Sequence, residues 1–216
     1  MNFVLLYNRL LRIFGIGMKR QTIVTVLLAL AAVLLPVLIV SSFAGLADKF
    51  PKKSGSPASV VTVHPHEEDI ETSNTSGRTS VFLAGTIDMG ADIDWQARAD
   101  SLFRTLEDGS YLLFNPRQDD WDASRPGEMD YQVNWELDHL EKADWILMNF
   151  LPDSRSPITL LELGLHARSG RLLVICPPEF YRHDNVRITC GKYGVPMFGS
   201  LEAAVRHIHQ TQRARR

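Results

Sequence analysis

From Ser80 to Phe198 the chain alternates short apolar runs with longer segments in which apolar residues recur every three or four positions. The runs are Ser80–Ala84, Tyr111–Phe114, Asp144–Phe150, Arg171–Cys176 and Val195–Phe198. Each is nearly continuous in apolar residues, which predicts strands buried on both faces. Between them, Asp94–Leu106 carries Trp95, Ala99, Leu102 and Leu106 at helical spacing, with Asp94 as N-cap. Asp130–Ala143, Ser156–Gly170 and Ser200–His209 read as further helices, the last capped by Ser200.

Strands alternating with helices predict an α/β domain over residues 80–212. Its expected form is a flavodoxin-like or Rossmann-like doubly wound sheet of five parallel strands. In such sheets ligands bind outside the carboxyl ends of the strands. Two helices stand out against this frame. In Ser156–Gly170, the side chains of Ile158, Leu160, Leu161, Leu163, Leu165 and Ala167 spread apolar surface around most of the wheel, predicting burial on nearly every side. One polar strip remains, formed by Thr159, Glu162 and His166. In Asp130–Ala143, Glu136 falls on the side shared by Val133, Leu137, Leu140 and Ala143. Carboxylates are seldom buried unless paired or at work. Glu162 and Glu136 are therefore the candidate catalytic pair. His166, one turn from Glu162, either assists it or is an ordinary hydrogen-bonded histidine.

The strand ends supply further candidates. Gly85-Thr86-Ile87-Asp88-Met89-Gly90 is a glycine-bracketed loop leading toward a helix, suited to present backbone N–H groups to an anionic or hydroxyl-rich ligand. Gly85, Thr86 and Asp88 are its candidate binding residues. After the second strand come Asn115, Arg117, Asp119, Asp120 and Trp121. Trp121 suits base stacking and the carboxylates suit sugar hydroxyls. Thr159 completes the set. Asp144 opens its strand at the opposite edge and reads as structural.

Ahead of this domain, Thr22–Ala47 has no charged residue and is long enough to cross a hydrocarbon core of roughly 30 Å. Arg9, Arg12, Lys19 and Arg20 precede it and no acid occurs before Asp48, which favours a cytoplasmic N-terminus. The expectation is a single-pass membrane protein: a basic segment (1–21), a transmembrane helix in the lipid bilayer (22–47) and a flexible linker (48–79). A cleaved signal peptide, with Ser42 and Ala44 at the cut, and an acid-free presequence are the alternatives. Pro51–Thr79 is rich in Ser, Thr, Pro and Gly and lacks apolar periodicity, hence the linker; His64 and His66 within it read as a solvated pair. The formal charge of −2 argues against a nucleic-acid polymer as partner. Cys176 and Cys190 have no metal-binding spacing, and no metal or cofactor is expected. Oligomeric state is open, a homo-oligomer being one option.

Phe82-Leu83-Ala84-Gly85-Thr86, Asn134-Trp135-Glu136-Leu137, Ala143-Asp144 and Thr159-Leu160-Leu161-Glu162-Leu163-Gly164 resemble, in order and spacing, the nucleoside 2-deoxyribosyltransferases and their deoxyribosyltransferase-like branch. The resemblance implies an N-glycosidic bond in a nucleoside or nucleotide as the point of attack. It implies that Glu162 is the nucleophile and that Glu136, where the family usually has Asp, binds or protonates the base. A family acid six residues before the nucleophile is Ser156 here, with Asp153 the nearby substitute, and a family Tyr in the first strand is Phe82.

Overall fold

Successive residues of each central strand belong to two different apolar clusters, as a sheet covered on both faces requires. The computed structural model describes residues 56, 58–87, 93–118 and 120–214. Its elements are β1 (Ser59–Val63), α1 (Glu68–Asn74), β2 (Thr79–Gly85), α2 (Trp95–Arg104), β3 (Ser110–Phe114), α3 (Glu128–Lys142), β4 (Trp145–Asn149), α4 (Pro157–His166), β5 (Leu172–Ile175), α5 (His183–Tyr193), β6 (Met197–Phe198) and α6 (Leu201–Ala214). All strand pairs are parallel, in the order β1-β3-β2-β4-β5-β6. From β2 onward this is the 2-1-3-4-5 winding of flavodoxin-like sheets. The sheet has six strands, however, where the apolar pattern predicts five.

Val81 and Leu83 face α2 and α6, where Ala99, Phe103, Ala204 and Ile208 wait. Phe82 and Ala84 face the other layer, packing with Trp135 and Leu140 of α3, Leu163 of α4 and Val186 of α5. The chain therefore leaves β2 toward one face and β4 toward the other. That reversal opens a crevice at the carboxyl ends of these two strands. The expected caps are in place: Asp94 accepts from Ala97 N at 2.8 Å and Ser200 from Ala203 N at 3.2 Å. Asp144 is structural, accepting from Ser80 N at 2.8 Å.

The sixth strand corrects the expected linker. Ser59–Val63 pairs with β3 from Ser59 opposite Ser110 to Val63 opposite Phe114, burying Val60 and Val63. It is a β-branched edge strand whose valines share the run with Ser59 and Thr62 and follow a Ser- and Pro-rich stretch, so it does not stand out as an apolar run. The helix after it buries none of its residues. Ionic and hydrogen bonds fix α1 instead: Glu71 lies 3.0 Å from His139 and 3.6 Å from Lys142, and Tyr131 donates to Glu68. Hydrophobic periodicity cannot reveal such an element. His64 and His66 are likewise part of the fold. His64 Nδ1 meets Arg117 O at 2.9 Å, and His66 stacks on Tyr131 with ring centroids 4.0 Å apart.

Gly55–Arg216 forms one compact unit. Limited proteolysis should accordingly leave a fragment beginning ahead of Ser59. A chain shortened to begin at Ser80 should melt well below one beginning at Gly55, since burial of Val60 and Val63 alone is worth about 3 kcal/mol or more. Equal melting temperatures would reduce β1 to decoration.

The predicted burial of α3 and α4 needs revision. Val133 and Leu137 on α3, and Ile158, Leu161 and Leu165 on α4, are exposed. The inward face of α4 is Thr159, Glu162, Leu163 and His166. A short helix lying on a sheet buries one stripe, and an all-round apolar wheel does not say which. The apolar stretch 22–47 lies outside the described residues, as do Asp88 and Asp119. Among the described residues no helix is long and apolar enough to cross a membrane.

Candidate active site

Gly85 ends β2 at φ +142°, and a Cβ there would sit 2.3 Å from the backbone oxygen of Asn149 on β4. Only glycine lets the two strand ends approach this closely. The next residue closes the gap: Thr86 N donates to Asn149 O at 3.0 Å. Its buried hydroxyl meets Ser156 Oγ at 2.7 Å and Ser154 Oγ at 3.0 Å, and accepts from Leu151 N at 3.1 Å. Ser156 holds a left-handed backbone (φ 42°) immediately before Pro157. That conformation costs a non-glycine residue roughly 1–2 kcal/mol, offset here by the shared hydroxyl cluster. The cluster thus fixes where α4 begins and so where Glu162 points.

Glu162 is 7% exposed. Burial and the nearby charge of Glu136 push its carboxyl up to about 8. Among the described residues no group donates a hydrogen bond to it. Glu136, across the seam on α3, is half-buried, and burial raises its pKa as well. Glu136 does have a donor: Gln132 Nε2 reaches its Oε1 at 2.7 Å and Pro116 O at 2.9 Å. Gln118 donates to the other end of the same amide, so the Gln132 amide can sit only one way round. Gln118 also donates to Glu128 Oε1 at 3.2 Å, where His66 Nε2 is equally close. Pro116 lies just beyond β3, so this chain ties Glu136 to the carboxyl edge of the sheet.

The remaining candidates divide. Asn115 is buried and accepts from Arg117 N at 3.1 Å, shaping the loop. Arg117 turns toward α2, 3.3 Å from Gln96 Oε1 and 3.6 Å from Asp94 Oδ1. Among the described residues, Gln96 Nε2 and Arg117 Nε are buried without a hydrogen-bond partner, polar capacity that a ligand at this edge would satisfy. Trp121 Nε1 is in the same condition. Asp120 is exposed and paired with Arg125 at 3.3 Å. Thr159 is buried on the inward face of α4. His166 is buried too, and burial lowers its pKa and keeps it neutral. Asp153 is exposed, so it does not take the place of a buried acid at Ser156. Phe82 is fully buried against Trp135, ring centroids 6.2 Å apart.

Gln132, Gln118, Glu128 and Gln96 were not legible as site residues from apolar pattern alone. A signal for the first existed: Glu128, Gln132 and Glu136 recur every four residues, a polar ladder along one side of α3. Gln132→Leu removes the donor that lowers the Glu136 pKa. The basic limb of the pH–rate profile should then move to higher pH, with the maximal rate falling about ten- to a hundredfold, the worth of a hydrogen bond to a charged group. An unmoved profile would make that bond incidental.

The structure therefore defines a doubly wound parallel α/β domain with a coupled carboxyl pair beside its switch-point crevice. Residues 78–180 match the family model described as nucleoside 2-deoxyribosyltransferase like, bearing out the resemblance carried by the motifs. The matched stretch contains both glutamates and every described candidate residue. No curated protein matches the chain. Among solved structures, a conserved protein from Enterococcus faecalis V583 is similar at 13% identity and a TM-score of 0.46, covering 62% of this chain and 99% of that one.

Proposed function

We propose that the domain cleaves or exchanges the N-glycosidic bond of a nucleoside or nucleotide through Glu162. The observation that carries this reading is a buried Glu162 side chain that receives no hydrogen bond among the described residues and stands beside a second carboxyl, within the stretch matched to the family. A structural carboxylate would have acquired donors. A Glu162 oxygen attacks the anomeric carbon as the C–N bond breaks, and the bond pair leaves with the base, which takes a proton from Glu136. Water or a second base then attacks the same carbon and gives its proton to the Glu136 carboxylate, the ester bond breaks, and the Glu162 carboxylate returns with net retention.

The resting proton favours Glu162, because Glu136 alone receives an N–H. A sugar hydroxyl donating to Glu162 would lower its pKa and send the proton to Glu136, so that the substrate itself arms the pair. Gly85, Thr86, Asp88, Thr159 and the Asn115–Trp121 loop, including Asp119, would hold sugar and base. Thr22–Ala47 would anchor the protein in a bilayer, with the N-terminus cytoplasmic; retention in the pellet after an alkaline carbonate wash tests this.

A second reading, a ligand sensor without turnover, is favoured by Ser156, whose hydroxyl is committed to Thr86 and Ser154 where the family has an acid. Incubation of the full-length chain with a deoxynucleoside, with and without a second base, separates the readings. Free base signals hydrolysis and an exchanged nucleoside signals transfer. Binding without either product would overturn the enzymatic reading in favour of the sensor.

A further inference from the structure

Glu128, Gln118, Gln132 and Glu136 form one hydrogen-bonded chain whose far end is held from outside the stretch matched to the family. His66 Nε2 lies 3.2 Å from Glu128 Oε1, and the backbone N of His66 donates to the Tyr131 hydroxyl at 2.8 Å. That hydroxyl in turn donates to Glu68, while the His66 ring stacks on Tyr131. Toward the other end of α3, Glu71 reaches His139 and Lys142, and His139 stacks on Trp135 with ring centroids 4.0 Å apart. His64 Nδ1 meets Arg117 O, next to Gln118. Residues 64–71 thus grip α3 on either side of Glu136, and grip the loop that carries Gln118. No residue of α1 is buried, so polar bonds rather than core packing are what this segment contributes.

We infer that this segment positions Glu136: His66, acting through Glu128, fixes the Gln118 and Gln132 amides in the one sense that turns an N–H toward Glu136. Its weight in catalysis rests on the function proposed above, whereas the bracing does not. Both ends of the amide pair face groups that only accept. Glu128 is buried, and its bond to His66 holds its carboxyl below the usual range, so it accepts and cannot donate. The Gln118 amide must therefore present its NH2 group to Glu128, and the same group donates to Gln132 Oε1. Gln132 then has its own NH2 left, which divides between Pro116 O and Glu136 Oε1. Turning either amide over would set oxygen against oxygen where little water can intervene. The charged or titratable groups facing the chain are His66 and Arg125 at Glu128 and Glu162 at Glu136. Without the Glu128 oxygen nothing holds Gln118 in its sense, and the donor on Glu136 loses its brace. That donor favours the charged form, so loosening it makes Glu136 harder to ionise.

Two substitutions of Glu128 separate the hydrogen bond from the charge. Glu128→Leu and Glu128→Gln each remove one negative charge, but only Glu128→Gln keeps an oxygen for Gln118 to face. The readout is the Glu136 carboxyl resonance of the full-length chain labelled with 13C-glutamate, assigned by its loss in Glu136→Gln. In Glu128→Leu its titration midpoint should rise by up to about one pH unit, the worth of one hydrogen bond to a charged group. In Glu128→Gln it should not rise. His66→Phe keeps the stack on Tyr131 and drops the N–H, so it should raise the midpoint by a smaller amount. The basic limb of the pH–rate profile should move with the midpoint, which a mere loss of stability would not produce. Should Glu128→Leu misfold, His66→Phe decides, because His66 is exposed and its replacement leaves the core intact. A midpoint unmoved by the variants that fold, or raised equally by Glu128→Leu and Glu128→Gln, would overturn the proposal. A midpoint that moves as expected in a chain without turnover would uphold the brace and overturn the proposed function alone.

Discussion

Glu162→Gln should fold, bind ligand and lose turnover by several powers of ten, or roughly 4–8 kcal/mol of barrier. The amide keeps shape and hydrogen-bonding capacity but has no charge with which to attack. A slow substrate bearing fluorine beside the anomeric carbon should leave a sugar adduct on the wild-type peptide containing Glu162 and none on the variant. Stability provides an independent check with a fixed sign. The folded pKa of about 8 exceeds the ordinary value of 4.5. The folded state therefore retains a proton that the unfolded chain has released. That contribution is complete below pH 4.5 and is lost as pH rises through about 8. Wild-type stability should fall across that window, and the glutamine variant, which cannot ionise, should overtake it by up to a few kcal/mol. Chemical denaturation of both proteins at several pH values measures the gap. A stable variant with full activity would end the nucleophile assignment.

Glu136→Gln should be milder and different in kind. The variant keeps a side chain that Gln132 can still face, but it has no proton to give. The rate of base departure should fall roughly 100- to 10,000-fold. The loss should be greatest for bases that leave poorly, and the basic limb of the pH–rate profile should vanish. Glu136 also raises the Glu162 pKa. Its neutralisation should therefore lower that pKa and narrow the window in which wild-type stability declines. Unchanged rate and unchanged profile together would make Glu136 structural.

Both glutamates were legible because an ionisable residue among apolar neighbours is a local anomaly, visible on any helical wheel. The winding was legible too, since each buried strand is a short run bounded by turn residues. What each side of α4 touches was not. Its wheel is apolar almost all round, so the sequence predicted burial everywhere, whereas the sheet accepts one stripe and leaves Ile158, Leu161 and Leu165 outside. β1 and α1 escaped for other reasons, one being an edge strand set in a Ser- and Pro-rich stretch and the other held by charge pairs rather than apolar burial.

By itself, then, the order of residues determined the strand–helix alternation, the glycine needed at Gly85 and the identity of the two carboxyls, because these depend on local chemistry and spacing. The Thr86–Ser154–Ser156 cluster, the Gln118–Gln132–Glu136 chain and the elevated Glu162 pKa were decided only by the tertiary structure. Each depends on groups from separate elements meeting in a place where water is largely excluded. A pKa or a shared hydroxyl there belongs to the assembled environment and to no single segment of the chain.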